Sequence, residues 1–247
     1  MTSYLRNYLI KFAMRISVFG IFFYYYLFHR ARLEEFITQP FFYRFTPIHI
    51  VWAIFMALML AHLMPNIKIL SMARRKVFRT EYEPAEQYDR LELLEYVQRM
   101  NLGAWKVMLV WLSCNAVFGA LYLTGVIGPQ DLLMLTVFYF LCDYICILLF
   151  CPFQSFFMHN KCCINCRIYD WGHFMMFTPM LFIKNFYSWS LFFTSCVVLL
   201  HWEIVYARYP ERFWEGSNQN LQCANCREKT CRYKKVYRKE NRRGKTE

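Results

Sequence analysis

Seven cysteines carry the first chemical suggestion in the chain. Cys151, Cys162, Cys163 and Cys166 lie within a stretch of twenty residues between two long apolar runs, and Cys223, Cys226 and Cys231 follow the last apolar run. Among them are two pairs of one form, Cys163-Ile-Asn-Cys166 and Cys223-Ala-Asn-Cys226. Two intervening residues let both sulfurs face one ion from a tight turn, and four such thiolates close a tetrahedral zinc site or hold one iron-sulfur cluster. Each pair is followed by an arginine, Arg167 or Arg227, a cation that favours the thiolate form. A structural zinc takes only four thiolates and leaves Cys162, Cys151 and Cys231 without a role. Cys151-Pro152 has the Cys-Pro form that ends many ferredoxin ligand runs, although the spacings match neither ferredoxin pattern. The expected centre is therefore an iron-sulfur cluster, with zinc as the alternative. Cys163, Cys166, Cys223 and Cys226 are its first ligands, and Cys162, Cys151 and Cys231 follow. Cys114, Cys142, Cys146 and Cys196 sit inside apolar runs and read as small buried apolar residues.

Asp143 lies near the middle of an apolar run, flanked by Cys142 and Tyr144. A carboxylate there must be protonated, paired or in a wet cavity, which makes it a candidate proton group. A neutral aspartic acid bonded to Asn115 or Ser113 on a neighbouring run is the plainer reading. His62, His173 and His201 fall near the ends of apolar runs, and with Asp170 and Glu203 they are candidates to line a site beside the cysteines. Paired haems are disfavoured, because His49 and His62 on the same run are thirteen residues apart and so lie on different helical faces.

These groups must be positioned by membrane helices. The 247 residues are 57% hydrophobic and 20% aromatic with only 19% charged, which no ordinary soluble surface shows. The charges are gathered in segments between runs of about the length of a bilayer crossing. The expected architecture is an all-α, polytopic helical membrane protein with six transmembrane helices and both termini cytoplasmic. The crossings are Tyr8 to Phe28, read as a retained anchor with no cleavage site, Ile48 to Met64, Trp105 to Ile127, Leu132 to Phe150, Ile168 to Ile183 and Phe186 to Tyr206. The fifth holds Asp170, His173 and Pro179, so a re-entrant helix is its alternative. This topology places 25 of the 29 lysines and arginines inside, as the positive-inside rule requires. It also places all seven cysteines on the cytoplasmic face, where thiols stay reduced and structural disulfides are not expected.

In this reading residues 1–206 form the six-span domain, with a cytoplasmic amphipathic segment, 66–103, and a Cys-rich loop, 151–170. The helix within 66–103 starts near Pro84, carries Leu91, Leu94 and Val97 on its apolar face and ends at Gly103. Residues 207–247 form a basic cytoplasmic tail attracted to anionic lipid headgroups. The function expected is electron transfer in the cell membrane between a cytoplasmic donor and a membrane acceptor such as a quinone. One competing class is a transporter or scaffold tied by a zinc knot, and another is an enzyme acting on lipid through His173, His201 and Glu203. No nucleic-acid partner is expected, since nothing beyond charge resembles a reader. The sequence contains no P-loop, zinc-protease box or serine elbow.

Overall fold

The computed structural model describes residues 3–39, 45–64, 74–160, 162 and 165–226. Among them the chain is helical, and the extended pairing is limited to an isolated bridge between Pro84 and Asn218. The helices are α1 (Ser3–Phe28), α2 (Arg30–Thr38), α3 (Pro47–Leu63), α4 (Arg74–Val77), α5 (Arg90–Leu123), α6 (Pro129–Leu148), α7 (Gly172–Phe177) and α8 (Phe186–Arg208). Four stretches are long and apolar enough to cross a membrane: Leu5–Phe28, Arg90–Leu123, Pro129–Leu148 and Phe186–Arg208. Their outer faces leave Ile21, Leu109 and Val197 more than half exposed, a continuous apolar surface of the kind that lipid covers. The protein is a membrane protein of multi-pass character.

Local sequence explains most of the helix ends. Pro47 opens α3 behind Thr46, and Pro129 opens α6 behind Gly128, where the missing N–H of proline costs nothing. Asp131 accepts from the Gly128 backbone N–H at 2.7 Å. Asn185 caps α8 by accepting from the N–H groups of Tyr187 and Ser188. Between α5 and α6 the chain reverses through Gly125, whose φ of +77° is open to glycine at no steric cost.

Two segments depart from the sequence reading. The amphipathic helix expected to end at Gly103 and the span expected from Trp105 are one 34-residue helix, α5, which begins at Arg90, where the Asp89 side chain accepts from Leu91 N–H at 2.8 Å. Its buried stripe is Leu93, Tyr96, Met100 and Val107, while Leu91 and Leu94 are exposed. Gly103 is not a terminus but a contact. A Cβ there would stand 2.9 Å from Met158 Sδ and from the Phe157 carbonyl, so glycine lets the turn after α6 lie directly on α5.

The second departure is the expected span from Ile168 to Ile183, which is no continuous α-helix. It consists of a 3₁₀ turn at Tyr169–Trp171, the six-residue α7 and a second 3₁₀ stretch at Thr178–Phe182. Pro179 lacks the N–H that an α-helix would use and crowds the preceding turn. The segment starts beside the C-terminal end of α3, with Asp170 3.9 Å from His62. It finishes beside α2, where Asn185 Nδ2 donates to the Ile37 carbonyl. Midway, Trp111 Nε1 donates to Thr178 Oγ1 at 3.1 Å. Gly119 admits the Phe182 ring, which would stand 2.2 Å from a Cβ at that position.

Two cores result. One, beneath the cysteine-bearing turns, packs Tyr96, Met100, Met158, Trp171, Trp202 and Phe213; the other, toward the α2 end, packs Ile37, Leu132, Phe177, Met180, Tyr187 and Leu191. Residues 209–226, read from sequence as the start of the tail, are a packed cap. Tyr206 and Trp202 of α8 each meet the Phe213 ring edge-on at 4.9 Å. Buried Arg212 donates to the Val77 carbonyl, and Ala85 N–H donates to the Ser217 carbonyl at 3.0 Å.

Candidate functional site

The first candidate site is the sulfur-rich end of the bundle. Cys162, from the loop after α6, and Cys226, from the cap after α8, pack against the same buried side chain, Leu221. The asparagine of each C-x-x-C pair holds its turn in place. Asn165 Nδ2 donates to Glu215 Oε2 at 2.8 Å and to the Leu221 carbonyl at 3.3 Å, while Asn225 Nδ2 donates to the Gln219 carbonyl at 3.0 Å. Cys223–Asn225 form a 3₁₀ turn closed by Cys226 N–H on the Cys223 carbonyl, the tight geometry that the two-residue spacing predicts. Cys166 is buried and Cys162 half-buried, whereas Cys223 is exposed. Cys163 and Cys231 lie outside the described residues.

A cation sits under this face. Lys76 of α4 is 0% exposed, and its Nζ donates to the Cys166 carbonyl at 3.1 Å. The rings of Tyr169 and Trp202 lie 5.7 and 5.6 Å away. Among the described residues no carboxylate forms an ion pair with it. Burial lowers its pKa to about 8, against the opposing pull of Cys166, Cys162 and Asp170. Beside it, buried Asn165 Oδ1 has no hydrogen-bond partner among the described residues. Arg167, expected to favour the thiolate of Cys166, is committed elsewhere. It grips Glu203 through two hydrogen bonds, one of 2.7 Å, and stacks on Tyr206 at 3.7 Å. Glu203 also accepts from Trp171 Nε1 at 2.8 Å, and Trp202 Nε1 donates to the Arg167 carbonyl at 2.9 Å. Glu203 is thus part of the clamp that fastens the cysteine loop to α8. Among the described residues, no three His, Cys, Asp or Glu side chains form a group arranged to hold a metal ion.

Cys151 stands apart from these turns. Its Sγ accepts from Gln154 N–H at 3.4 Å, and its thiol meets that of Cys146 at the end of α6.

The second candidate site is a cavity of about 650 Å³ walled by α1, α3, α6, α7 and part of α8. Most of its wall is apolar, and its polar residues include Lys11, Arg15, His62, Asp143, Asp170 and His173. Asp143 pairs with Arg15 at 2.7 Å, not with Asn115 or Ser113; Asn115 Nδ2 donates to the Trp111 carbonyl within its own helix. The Arg15 guanidinium also lies 4.0 Å over each of the rings of Phe140 and Tyr144. His62 and His173 meet edge to face at 5.0 Å, and His62 Nε2 is 3.9 Å from Asp170 Oδ1. Gly172 keeps this end open, since a Cβ there would lie 3.2 Å from Asp143 Oδ1. His201 does not join the cavity wall, and its buried Nε2 has no hydrogen-bond partner among the described residues.

Of the expected site residues, the structure therefore brings Asp143, His62, His173 and Asp170 to one cavity and Cys162 and Cys226 to the same buried Leu221, while Cys166 packs into the core around Trp171 and Trp202. Arg15 and Lys76 were the residues that sequence reasoning missed. Arg15 is the innermost of the cations in its apolar run, one helical turn beyond Lys11, a signal that a carboxylate partner exists elsewhere. Lys76 follows Arg74 and Arg75 and reads as one more member of a solvated basic stretch. Comparison with protein-family models, with curated proteins and with solved structures finds no match to this chain.

Proposed function

We propose that this chain is a six-span redox protein of the cytoplasmic membrane whose inner face holds a cysteine-ligated centre, an iron-sulfur cluster, that passes electrons between a cytoplasmic donor and an acceptor inside the membrane. The observation that carries this reading is the meeting of the loop and the cap at Leu221, with Cys162 on one side and Cys226 on the other. Residues 64 apart in sequence, on either side of α7 and α8, pack on the same side chain. Cys163, Cys166, Cys223 and Cys226 are the ligands. Cys162 is the reserve ligand, while Cys151 belongs to the end of α6 and not to this surface.

Buried Lys76 supports the same reading. An ammonium taken out of water with no carboxylate in an ion pair with it among the described residues is costly unless something anionic lies close, and thiolates on a metal supply that charge. Bound there, the cluster would contribute one-electron transfer at low potential; the chain contributes the cation, the Asn165 and Asn225 anchors and the Arg167–Glu203 clamp. Six crossings put both cysteine turns under one leaflet. The continuity of residues 169–185 from the His62 end of α3 to the α2 end supports the crossing that is not a regular helix.

The test is metal and sulfide analysis of anaerobically purified protein, beside a Cys163→Ser/Cys166→Ser variant. A brown protein with iron and sulfide in equal amounts, emptied in the variant, is the expected result. A colourless protein carrying one zinc supports the scaffold class instead, and iron retained by the variant removes this ligand set.

A further inference from the structure

We propose that the cavity between α1 and α3 is the site of the membrane acceptor and that its occupant is an isoprenoid-tailed quinone, an inference that rests on the redox reading above for the choice of ligand but not for the existence of the site.

The cavity opens toward lipid. α1 packs along α6 and α3 packs along α8, which leaves a gap between α1 and α3. The wall residues Met14, Val51 and Ile54, on these two helices, are 52, 45 and 53% exposed on the apolar outer surface. A molecule dissolved in the bilayer can enter there without crossing water. The volume, about 650 Å³, is in the range of small-molecule sites, roughly 300–1,000 Å³. It accommodates a ring and the start of a tail, with the rest of the tail left in lipid.

The polar groups select the head. Lys11, Arg15, Asp143 and Asp170 all line the cavity, two cations and two carboxylates, and Arg15 and Asp143 are already paired at 2.7 Å. That balance gives no excess positive charge for a phosphate headgroup and no excess negative charge for an amine. A neutral head with hydrogen-bonding atoms remains. The His62 and His173 rings supply ring nitrogens, and the carboxylates supply acceptors. His62 Nδ1 is held on the Leu58 carbonyl at 2.8 Å, so Nε2 is the nitrogen turned toward Asp170. The rings of Phe140 and Tyr144 that sandwich Arg15 and the nearby Phe177 suit a flat head. The site also lies close along the chain to the sulfur-rich face, because Asp170 follows Cys166 by four residues.

The experiment is calorimetric titration of the purified full chain in detergent with a benzoquinone carrying a ten-carbon tail, against decanol as the tail-only control. Wild type is expected to bind one quinone per chain and to bind decanol far more weakly. His62→Leu should weaken quinone binding about tenfold, the worth of one head-group hydrogen bond, and leave decanol unchanged. Thr136→Trp, which fills the cavity from the α6 wall, should abolish saturable binding. Ile54→Trp blocks the exposed lip without touching the core and should do the same if Thr136→Trp fails to fold. The proposal is overturned if quinone does not saturate, if decanol binds as tightly, or if both blocking variants bind like wild type. Quinone binding in a chain that carries no iron leaves this site standing and removes the redox reading; an iron-loaded chain that binds no quinone does the reverse.

Discussion

Replacing Lys76 with methionine tests the charge of the proposed centre, because the two possible surroundings of that ammonium give opposite signs. Lys76 is 0% exposed, and it donates to the Cys166 carbonyl at 3.1 Å. Methionine keeps most of the length and volume and removes the charge. If thiolates on a metal neutralise Lys76, the substitution leaves their charge buried without its counter-ion. Breaking a buried pair in this way costs roughly 3–5 kcal/mol, and 3 kcal/mol corresponds to about a hundredfold in the retention of the metal. If no anion lies beside it, the same change removes an uncompensated buried cation and should leave the protein as stable or more stable. The assay is iron and acid-labile sulfide per chain after exposure to a graded series of chelator concentrations, read beside the thermal midpoint in the same detergent. The expected result is that Lys76→Met loses iron at far lower chelator and melts earlier. A variant that holds iron like wild type and melts at the same or a higher temperature would refute the argument from counter-charge.

Two further predictions concern the membrane interior. Arg15→Met strands Asp143 beside the cavity and should destabilise the protein by about 2–3 kcal/mol, less than a fully buried pair because the carboxylate is 34% exposed. The double variant Arg15→Met/Asp143→Leu should recover most of that loss, and a double-mutant cycle in mixed-micelle unfolding measures the coupling. Gly119→Ala places a methyl group 2.2 Å from the Phe182 ring and should cost about 1–3 kcal/mol by overpacking, with Gly119→Ala/Phe182→Leu restoring stability in the same assay. Equal stability of the single variant and wild type would show that the 3₁₀ stretch does not lie against α5.

The parts of this architecture legible in the sequence are those set by local chemistry. Pro47 and Pro129 stand at helix starts, where the N–H that proline lacks would be an orphan, and the apolar length of α1, α6 and α8 follows from composition alone. The parts that were not legible depend on what packs from elsewhere. Gly103 reads as a helix end because glycine is the commonest residue there, yet in α5 it is the place where Phe157 and Met158 press on the backbone. Nothing near Gly103 in the chain announces a neighbour 54 residues away. Of the stripe Leu91, Leu94 and Val97, only Val97 packs against the core while Leu91 and Leu94 face outward, since the buried face of α5 is centred on Tyr96 and Met100, in one cluster with Phe213 and Trp214.

The same distinction governs the two sites. That the cysteine pairs are alike was visible, and their asparagines were visible with them; that Asn165 bonds to the cap backbone at Leu221 was not, because hydrogen bonds between segments leave no periodicity. Asp143 was identifiable by its cost in an apolar run, and the same cost argument applied to Arg15 would have paired them. A cation and an anion set inside apolar runs of different helices each need a partner, and Arg15 of α1 and Asp143 of α6 are each other's. Counting Arg15 with the flanking basic residues hid that pair. The general inference is that a charge several residues inside an apolar run should be matched against opposite charges in other runs before it is assigned to a flank.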